Sequence, residues 1–367
     1  WQPSAEFDES TGLGEITHIG TDPNYKSKFD TILKDWGFDP EHFEIEGKVK
    51  ASSWNTQLKG GTVETFYAFK GVVRRRHPER DEWYDQLLKE VSKKKPLKKK
   101  KIKSDLAYIF TLSDWQLGKV DLGVEKTLER YDKALDRAVA EVRQLGSVDE
   151  IYLLSMGDLT EGCYGFYDSQ AHNISLNLSQ QYHLARKLIM KTVDTFLPYA
   201  NKIVLSGVPA NHGEMARSGK GQVVTSRLDN SDTMHLEICQ EIMEQNKRYD
   251  KVSVSIPEGF HHTIEVKGHT VAFTHGHMHS GGAGPEGKIM KWWQGQMFGD
   301  FPVGDAEILV TGHFHHPRMM QQGNRTWFQC PSIDASIDFT ARTGMWSKPG
   351  VLTFTIDKDG WDNYKIV

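Results

Sequence analysis

The sequence predicts an α/β fold, a layered α/β or αββα sandwich that is preceded by a small α+β module. Short apolar, β-rich runs alternate with helical stretches beyond residue 105, and a lysine-rich block separates that part from the N-terminal part. The chain has 367 residues, which is enough for two or three domains.

Residues 1–90 are expected to form the small α+β module. Within it, 26–36 has the pattern of a short helix, and 46–58 and 62–74 have the pattern of strands around Lys59-Gly60-Gly61, a hairpin signal. Its aromatic residues are expected to form the module's core, and the alternative is a platform for stacked nucleic-acid bases. These residues are Trp36, Trp54, Phe66, Tyr67 and Phe69.

Residues 91–104 are a lysine-rich segment, in which eight of the eleven residues from Lys93 to Lys103 are lysine. Like charges repel, so this segment is predicted to be a linker or a contact arm and not part of a core. The alternative to a solvated linker is a grip on nucleic-acid phosphates. DNA is therefore an expected partner, and a domain boundary is expected between residues 1–90 and 105–367.

The part beyond residue 105 contains the apolar runs that predict buried strands. These runs are Ala107–Ser113, Glu150–Gly157, Lys202–Pro209, His269–Thr274 and Glu307–Thr311. Between the first two, apolar residues recur every three or four positions from Leu128 to Val142, which predicts a helix with one face on the sheet. Residues 318–367 are mostly strand-like and are expected to complete a sheet.

Composition excludes several classes of protein. A hydrophobic content of 38% and a charged content of 26% describe an ordinary globular chain. No run of 18 apolar residues occurs and Trp1-Gln2-Pro3 has no signal pattern, so a cytoplasmic protein without membrane association is expected. Cys163, Cys239 and Cys330 are far apart, which argues against both disulfides and a thiolate zinc site.

Polar residues that can bind metal follow each predicted strand. They are Ser113-Asp114-Trp115-Gln116, Gly157-Asp158, Asn211-His212, His275-Gly276-His277 and Gly312-His313-Phe314-His315. Residues at the carboxyl ends of strands converge on one crevice, so these loops are expected to form a single site. A two-metal centre needs a bridging carboxylate together with nitrogen and oxygen ligands. Such ligands without thiolate suit manganese, iron or zinc better than calcium.

With these motifs, the chain from about Asp105 onward resembles the calcineurin-like metallophosphoesterase superfamily, whose motifs run Asp-x-His, Gly-Asp, Gly-Asn-His-Asp/Glu, His and Gly-His-x-His. Residues 113–119, Ser-Asp-Trp-Gln-Leu-Gly-Lys, are most similar to the first motif of the Mre11/SbcD-type DNA nucleases. The resemblance implies a four-layer αββα metallophosphoesterase sandwich. It also implies a DNA exo- or endonuclease in which water activated between two metal ions attacks phosphorus in line.

The resemblance also implies the role of each site residue. Metal one would be held by Asp114, Gln116, Asp158 and His315. Metal two would share the bridging Asp158 and be completed by Asn211, His275 and His313. The catalytic His212 would stabilise the developing charge and protonate the leaving alkoxide.

Two departures from the family pattern affect these expectations. Gln116 stands where the nucleases have histidine and offers only an amide oxygen, so metal one is expected to bind loosely. The expected cofactor is two manganese ions, with magnesium, iron or zinc as alternatives. Glu214 is displaced by one residue from the family's acid, so it is not expected to orient His212 as that acid does.

Four further residues are candidates for binding substrate: Arg217, Lys220, His172 and His277. For each of them the alternative is a loop residue that does not contact substrate. Two other functions remain open, a nucleotide or cyclic-nucleotide phosphodiesterase and a non-catalytic DNA-binding factor on the same scaffold. A Rad50-like ATPase partner is compatible with the nuclease resemblance but not evident in the sequence, and phage or bacterial origin is an association only.

Overall fold

The computed structural model describes residues 2–8, 13–24, 28–40, 42–75, 80–97, 101–120, 123–167, 169–216, 225–279, 283–334, 340–341, 344 and 346–367. The chain divides into two compact units, Trp1–Trp83 and Tyr84–Val367. The sequence interpretation places this boundary later, after residue 90.

The first unit combines an antiparallel sheet with a short helix. Its elements are β1 (Ser4–Asp8), β2 (Leu13–Gly20), α1 (Phe29–Asp35), β3 (Phe43–Gln57) and β4 (Val63–Arg75). The strands pair in the order β1-β2-β4-β3, and Ile32 and Leu33 of α1 share a buried cluster with Phe69 of β4. The turn between β3 and β4 places Gly60 and Gly61 at φ 128° and 86°, which glycine adopts without steric cost. The predicted hairpin is therefore confirmed.

From residue 80 onward, strands alternate with helices. The elements are α2 (Arg80–Ser92), β5 (Ala107–Ser113), α3 (Val124–Gln144), β6 (Val148–Gly157), α4 (Leu178–Phe196), β7 (Ala200–Gly207), α5 (Ser231–Glu244), β8 (Val252–Ser255), β9 (His261–Val266), β10 (His269–Thr274), α6 (Gly284–Phe298), β11 (Ile308–Thr311), β12 (Arg318–Gln322), β13 (Arg325–Gln329), β14 (Leu352–Asp357) and β15 (Gly360–Ile366). Short 3-10 helices cover Gln170–His172, Leu197–Tyr199, Lys247–Tyr249 and Pro302–Asp305. The five predicted strands and the predicted helix are confirmed.

The strands of the second unit form two sheets. One has the order β15-β14-β5-β6-β7-β8, in which β5 to β8 are parallel, and the other has the order β12-β13-β11-β10-β9. In the second sheet β13, β11 and β10 are parallel. The C-terminal tail thus supplies β12 and β13 to one sheet and β14 and β15 to the other.

Three buried clusters hold the second unit together. Alternate residues of β5 serve two of them, because successive side chains of a strand point to opposite faces. Tyr108 and Phe110 belong to the cluster that includes α3, α4 and α5, whereas Ile109 belongs to the cluster shared by the two sheets. The third cluster joins Trp293 of α6 to Leu309 of the second sheet. Burial on both faces explains why these strands are continuously apolar in sequence.

The lysine-rich segment differs from the expected linker where it is described. Val91 is fully buried in the core of the second unit, and the Asn246 side-chain amide donates to the main-chain oxygens of Val91 (2.6 Å) and Lys94 (3.0 Å). Lys94 pairs with Asp194 at 2.5 Å. The segment from 91 to 97 therefore lies on the second unit, where the Asn246 amide and the ion pair of Lys94 bind it. Residues 98–100 lie outside the described part of the chain.

Among the described helices, we find none whose length and apolarity would allow it to cross a membrane.

Candidate metal centre

The loops after β5, β6 and β7 are joined by hydrogen bonds from main-chain amides. The amide of Asp114 donates to the carbonyl of Gly157 at 3.0 Å, and the amide of His212 donates to Oδ1 of Asp158 at 2.8 Å. These bonds hold the first three predicted loops together at the carboxyl ends of parallel strands, as the sequence predicts.

The loop after β11 connects the second sheet to the same place. The amide of His313 lies 3.2 Å from both carboxylate oxygens of Asp114, and the amide of Gly312 donates to the carbonyl of His275 at 3.0 Å. The five predicted loops therefore meet, although they come from two different sheets.

The backbone of this site is strained. Five of the predicted ligands have left-handed φ: Asp114 (50°), Gln116 (44°), Asp158 (51°), His313 (70°) and His315 (60°). Such conformations cost about 1–3 kcal/mol each and persist where the surroundings impose them, commonly at functional sites. Gly312 leaves the room that this packing needs, since a Cβ there would lie 2.8 Å from Oδ2 of Asp114.

Asp158, His275 and His313 form a compact group of potential metal ligands, with one ligand atom of each within 4.8 Å of the others. Nε2 of His275 lies 3.0 Å from Oδ2 of Asp158 and 2.9 Å from Oδ1 of Asn211. Nδ1 of His275 donates to the carbonyl of Met156 at 2.7 Å, which directs Nε2 to the group. The predicted ligands of metal two are thus brought together.

The electrostatics of this group favour a cation. Burial lowers the pKa of His275, but Asp158, Asp114 and the hydrogen bond to the Met156 carbonyl together outweigh burial and raise that pKa to about 9. Burial, followed by the charge on His275, lowers the pKa of His313 to about 3. Without a metal ion, a proton on His275 is therefore the counter-charge to buried Asp158. A divalent cation bound to the same atoms would replace that proton.

Asp114 and His315 form the adjacent pair. Nε2 of His315 lies 3.2 Å from Oδ1 of Asp114, which is fully buried. The hydroxyl of Ser113 donates to Oδ2 of Asp114, and the hydroxyl of Ser332 donates to its main-chain oxygen at 2.8 Å. These contacts fix the Asp114 carboxylate beside the imidazole of His315.

Gln116 lies in the same loop, but its side chain has another partner. Its amide oxygen accepts a hydrogen bond from Nζ of Lys119 at 3.1 Å, and the same ammonium pairs with Oδ2 of Asp334 at 2.8 Å. Sequence reasoning missed both Lys119 and Asp334. The position of Lys119, three residues after Gln116 in one loop, was the available signal.

His212 is held by residues that follow Asp158. Its Nδ1 donates to the main-chain oxygen of Glu161 at 2.7 Å, and its ring stacks on Phe166 with centroids 4.2 Å apart. Oε2 of Glu161 lies 3.6 Å from the same nitrogen. Nε2 is therefore the ring nitrogen left available for chemistry. Glu161 and Phe166 were not predicted.

Glu214 lies in the loop after His212 but is directed to a different partner. Its Oε1 accepts from Nη1 of Arg227 at 2.6 Å. This contact agrees with the expectation that Glu214 does not orient His212. Glu161 is the acidic residue that contacts the His212 ring instead.

Asp232, at the start of α5, supports the loop that carries Asp158. Its two oxygens accept from the amides of Asp158 (3.1 Å) and Leu159 (3.0 Å). Burial and the charge on Asp158 raise the pKa of Asp232 to about 7. Nothing in the sequence pattern distinguished this residue from an ordinary acid in a first helical turn.

The four candidate substrate residues have different surroundings. Arg217 and Lys220 lie outside the described residues, and His172 is exposed in a 3-10 turn. The ring of His277 is centred 5.3 Å from that of His275, and burial lowers its pKa to about 2. Of these residues the described structure therefore places only His277 beside the metal ligands.

No protein-family model and no curated protein matches the chain. Solved structures that resemble it include an archaeal phosphodiesterase (11% identity, 71% of this chain and 99% of that chain, TM-score 0.32). Another is Vps29 from Entamoeba histolytica complexed with zinc (13%, 70% and 88%, 0.32). A third is a hypothetical protein from Pyrococcus horikoshii (10%, 71% and 88%, 0.35). All three likenesses are weak in sequence identity and in TM-score.

Proposed function

We propose that this chain is a metal-dependent phosphodiester hydrolase of the calcineurin-like metallophosphoesterase type, with the four-layer αββα arrangement of that superfamily. The observation that carries the proposal is the convergence of Asp158, His275 and His313 beside His212, on loops that follow different strands. The Asp158 carboxylate and the two imidazoles can hold a metal ion. The imidazole of His212 lies beside them and donates to a main-chain carbonyl, so it is free of the ligand group and can act on the substrate. Phosphoryl transfer at a metal centre needs both kinds of group.

The side chains fit two divalent ions. Asp158, Asn211, His275 and His313 would hold metal two, and the distances of 2.9–3.0 Å from Nε2 of His275 leave that buried nitrogen facing ligand oxygens. Asp114, His315, Gln116 and the bridging Asp158 would hold metal one. We propose manganese, because nitrogen and oxygen ligands without thiolate suit it. Bound ions would polarise a phosphoryl oxygen and lower the pKa of a bound water.

The chain's own residues supply positioning and a proton. With Nδ1 of His212 donating to Glu161, Nε2 is the atom that can face the leaving oxygen, and the imidazolium, with a proton on both nitrogens, gives the Nε2 proton to that oxygen and becomes neutral imidazole. Phe166 holds the imidazole plane by stacking, so the ring does not need to reorient during the reaction.

We further propose that the substrate is DNA. In the lysine-rich segment, Lys93, Lys95, Lys101 and Lys103 are exposed. In the first unit, Trp54 is 38% exposed and stacks on Phe66 with centroids 6.1 Å apart, on paired strands. Exposed aromatic pairs and lysines are what single-stranded nucleic acid binds. From the resemblance of the first motif we also propose an ATPase partner of the Rad50 type.

A substrate panel tests the function. The protein, loaded with manganese, would be assayed on bis-p-nitrophenyl phosphate, labelled single- and double-stranded DNA, and cyclic nucleotides, with Asp158→Asn as the matched inactive variant. We expect hydrolysis of the small phosphodiester and of DNA. Hydrolysis of small phosphodiesters and nucleotides without DNA cleavage would favour the nucleotide phosphodiesterase. Bound manganese without any hydrolysis would favour the non-catalytic DNA-binding factor.

A further inference from the structure

Lys119 places a half-buried positive charge beside Gln116, a proposed ligand of metal one. Its side chain is 18% exposed, and that of its partner Asp334 is 4% exposed. The ammonium has three N–H donors, and Asp334 and the Gln116 amide oxygen both accept from it. The main chain of Lys119 is itself fixed by a β-bridge to Ile174. Both the main chain and the ammonium of Lys119 are therefore held in place by contacts within the site.

The pair of Lys119 and Asp334 is tied to the metal-one ligands through Ser332. The amide of Asp334 donates to the hydroxyl of Ser332 at 2.9 Å, and that hydroxyl donates to the main-chain oxygen of Asp114 at 2.8 Å. The amide of Ser332 donates to the main-chain oxygen of His315 at 3.4 Å. The Lys119 ammonium is therefore held by the same group of hydrogen bonds that positions Asp114 and His315.

The two proposed metal positions consequently differ. At metal two, the Asp158 carboxylate and the His275 and His313 imidazoles converge without any competing lysine or arginine among the described contacts. At metal one, the Gln116 oxygen already accepts from the Lys119 ammonium, so an ion bound to that oxygen would share it with a like charge. An amide oxygen is also a neutral ligand and attracts a dication less than a carboxylate does.

We propose that Lys119 is the resident cation of the metal-one side, so that the protein binds one divalent ion tightly, at Asp158, His275 and His313, and a second only weakly. This inference rests on the proposed function. Repulsion from the Lys119 ammonium weakens binding of the second ion, and the ion pair with Asp334 keeps that ammonium in place. Occupancy of metal one then depends on free metal concentration, whereas metal two stays filled.

Calorimetric titration of the metal-free protein with manganese tests the proposal, together with electron paramagnetic resonance of the bound ion. For the unaltered protein we expect one tight site and a second at least about tenfold weaker, with the six-line spectrum of an isolated ion at one equivalent. Two equally tight ions, with the broadened spectrum of a coupled pair from the start of the titration, would overturn the proposal. No manganese binding at all would instead overturn the proposed function.

A variant pair identifies Lys119 as the cause. Lys119→Met keeps the length of the side chain and removes its charge, and we expect it to tighten the second site about tenfold or more. Lys267→Met is the matched control, because Lys267 also pairs with an aspartate, Asp149, at 2.5 Å and is 16% exposed. An unchanged second site in a folded Lys119→Met protein would contradict the role of Lys119. Circular dichroism would verify folding, and the titration of the unaltered protein decides the stoichiometry independently of either variant.

Discussion

Nδ1 of His212 lies 2.7 Å from the main-chain oxygen of Glu161, a residue that follows the Asp158 ligand by three positions. A carbonyl can only accept, so this contact fixes the proton on Nδ1 and leaves Nε2 as the reactive nitrogen. The loop after β6 therefore supplies both the proposed metal ligand Asp158 and the orientation of the His212 imidazole, the proposed general acid. We therefore expect changes at Asp158 to affect metal binding and changes at Glu161 to affect turnover.

Replacement of the catalytic imidazole should separate chemistry from metal binding. In His212→Asn we expect turnover of bis-p-nitrophenyl phosphate to fall about 10²-fold or more, because a general acid is lost, while manganese content stays unchanged. Kinetics and metal analysis on the same preparation check this. His42→Asn, at an exposed histidine of the first unit, is the control. Loss of metal in proportion to activity would make His212 a ligand and our assignment wrong.

Glu161 should act through His212 as a positioning residue. Glu161→Gln keeps the main-chain bond to Nδ1 but removes the carboxylate charge 3.6 Å from the ring. We expect kcat to fall about tenfold with KM and manganese content little changed, since contacts of this supporting kind typically contribute about 10–100-fold. Glu161→Asp should recover part of the loss. A rise in KM at constant kcat would assign Glu161 to substrate binding instead.

The sequence predicted the buried strands, and loops after them that the structure brings together, because both are carried by local patterns. The run 107–113 is apolar through most of its length because both faces of β5 are buried, and the predicted ligands follow such strands directly. What the sequence could not give is long-range placement. Asp232 is 74 residues from Asp158 along the chain, and only the packing of α5 brings its carboxylate to the Asp158 amide.

The N-terminal boundary was misplaced for a related reason. A lysine run indicates solvent exposure, but Val91 and Leu87 on the preceding helix are buried in the core of the second unit. The asparagine that binds the segment, Asn246, is 155 residues from Val91 along the chain and carries no local signal. The lysine content therefore indicated that lysine side chains are exposed, as Lys93 and Lys95 are. It did not indicate that the main chain at Val91 and Lys94 is bound to the second unit by Asn246.

A buried histidine outside the proposed ligand set should make stability depend on pH. His235 is fully buried, its ring nitrogens have no hydrogen-bond partner among the described residues, and burial lowers its pKa well below 6.5. Below pH 6.5 the unfolded chain takes up a proton that the folded protein does not bind. Stability should therefore fall as pH falls, by about 1.4 kcal/mol per pH unit from this group.

The test replaces His235 by leucine, which cannot titrate. Urea unfolding at about pH 7 and about pH 5.5, on either side of the ordinary histidine pKa, should show a smaller acid loss of unfolding free energy in His235→Leu than in the unaltered protein. His172→Leu, on the exposed 3-10 turn, should retain the original pH dependence. If His235→Leu and the unaltered protein lose the same free energy between the two pH values, His235 is not the buried titrating group.

The exposed lysines of the basic segment decide between DNA and a small substrate. We expect replacement of Lys93, Lys95, Lys101 and Lys103 by glutamine to weaken DNA binding at all sequences alike. The slope of log K against log salt should decrease by about 0.9 for each phosphate that is no longer neutralised. Lys94 is left in place because it pairs with Asp194. Hydrolysis of bis-p-nitrophenyl phosphate should be nearly unchanged, since it needs only the metal centre.

The control replaces four exposed lysines elsewhere in the second unit by glutamine: Lys126, Lys247, Lys291 and Lys358. This variant has the same net charge as the first, so it separates a local contact from a general charge effect. Equal DNA affinity and equal salt slopes in the two variants would reduce the basic segment to a charged surface and favour the nucleotide phosphodiesterase.

The most direct test of the account measures bound manganese and phosphodiester turnover in the same samples of the unaltered protein and Asp158→Asn. Asp158 contacts both His212 and His275 and is the proposed bridge, so its carboxylate cannot be lost without affecting both. We predict that Asp158→Asn binds at most one manganese ion, weakly, and shows no measurable hydrolysis, while the unaltered protein hydrolyses bis-p-nitrophenyl phosphate only with metal present. Full metal content and undiminished turnover in Asp158→Asn would contradict a metal centre built around this residue.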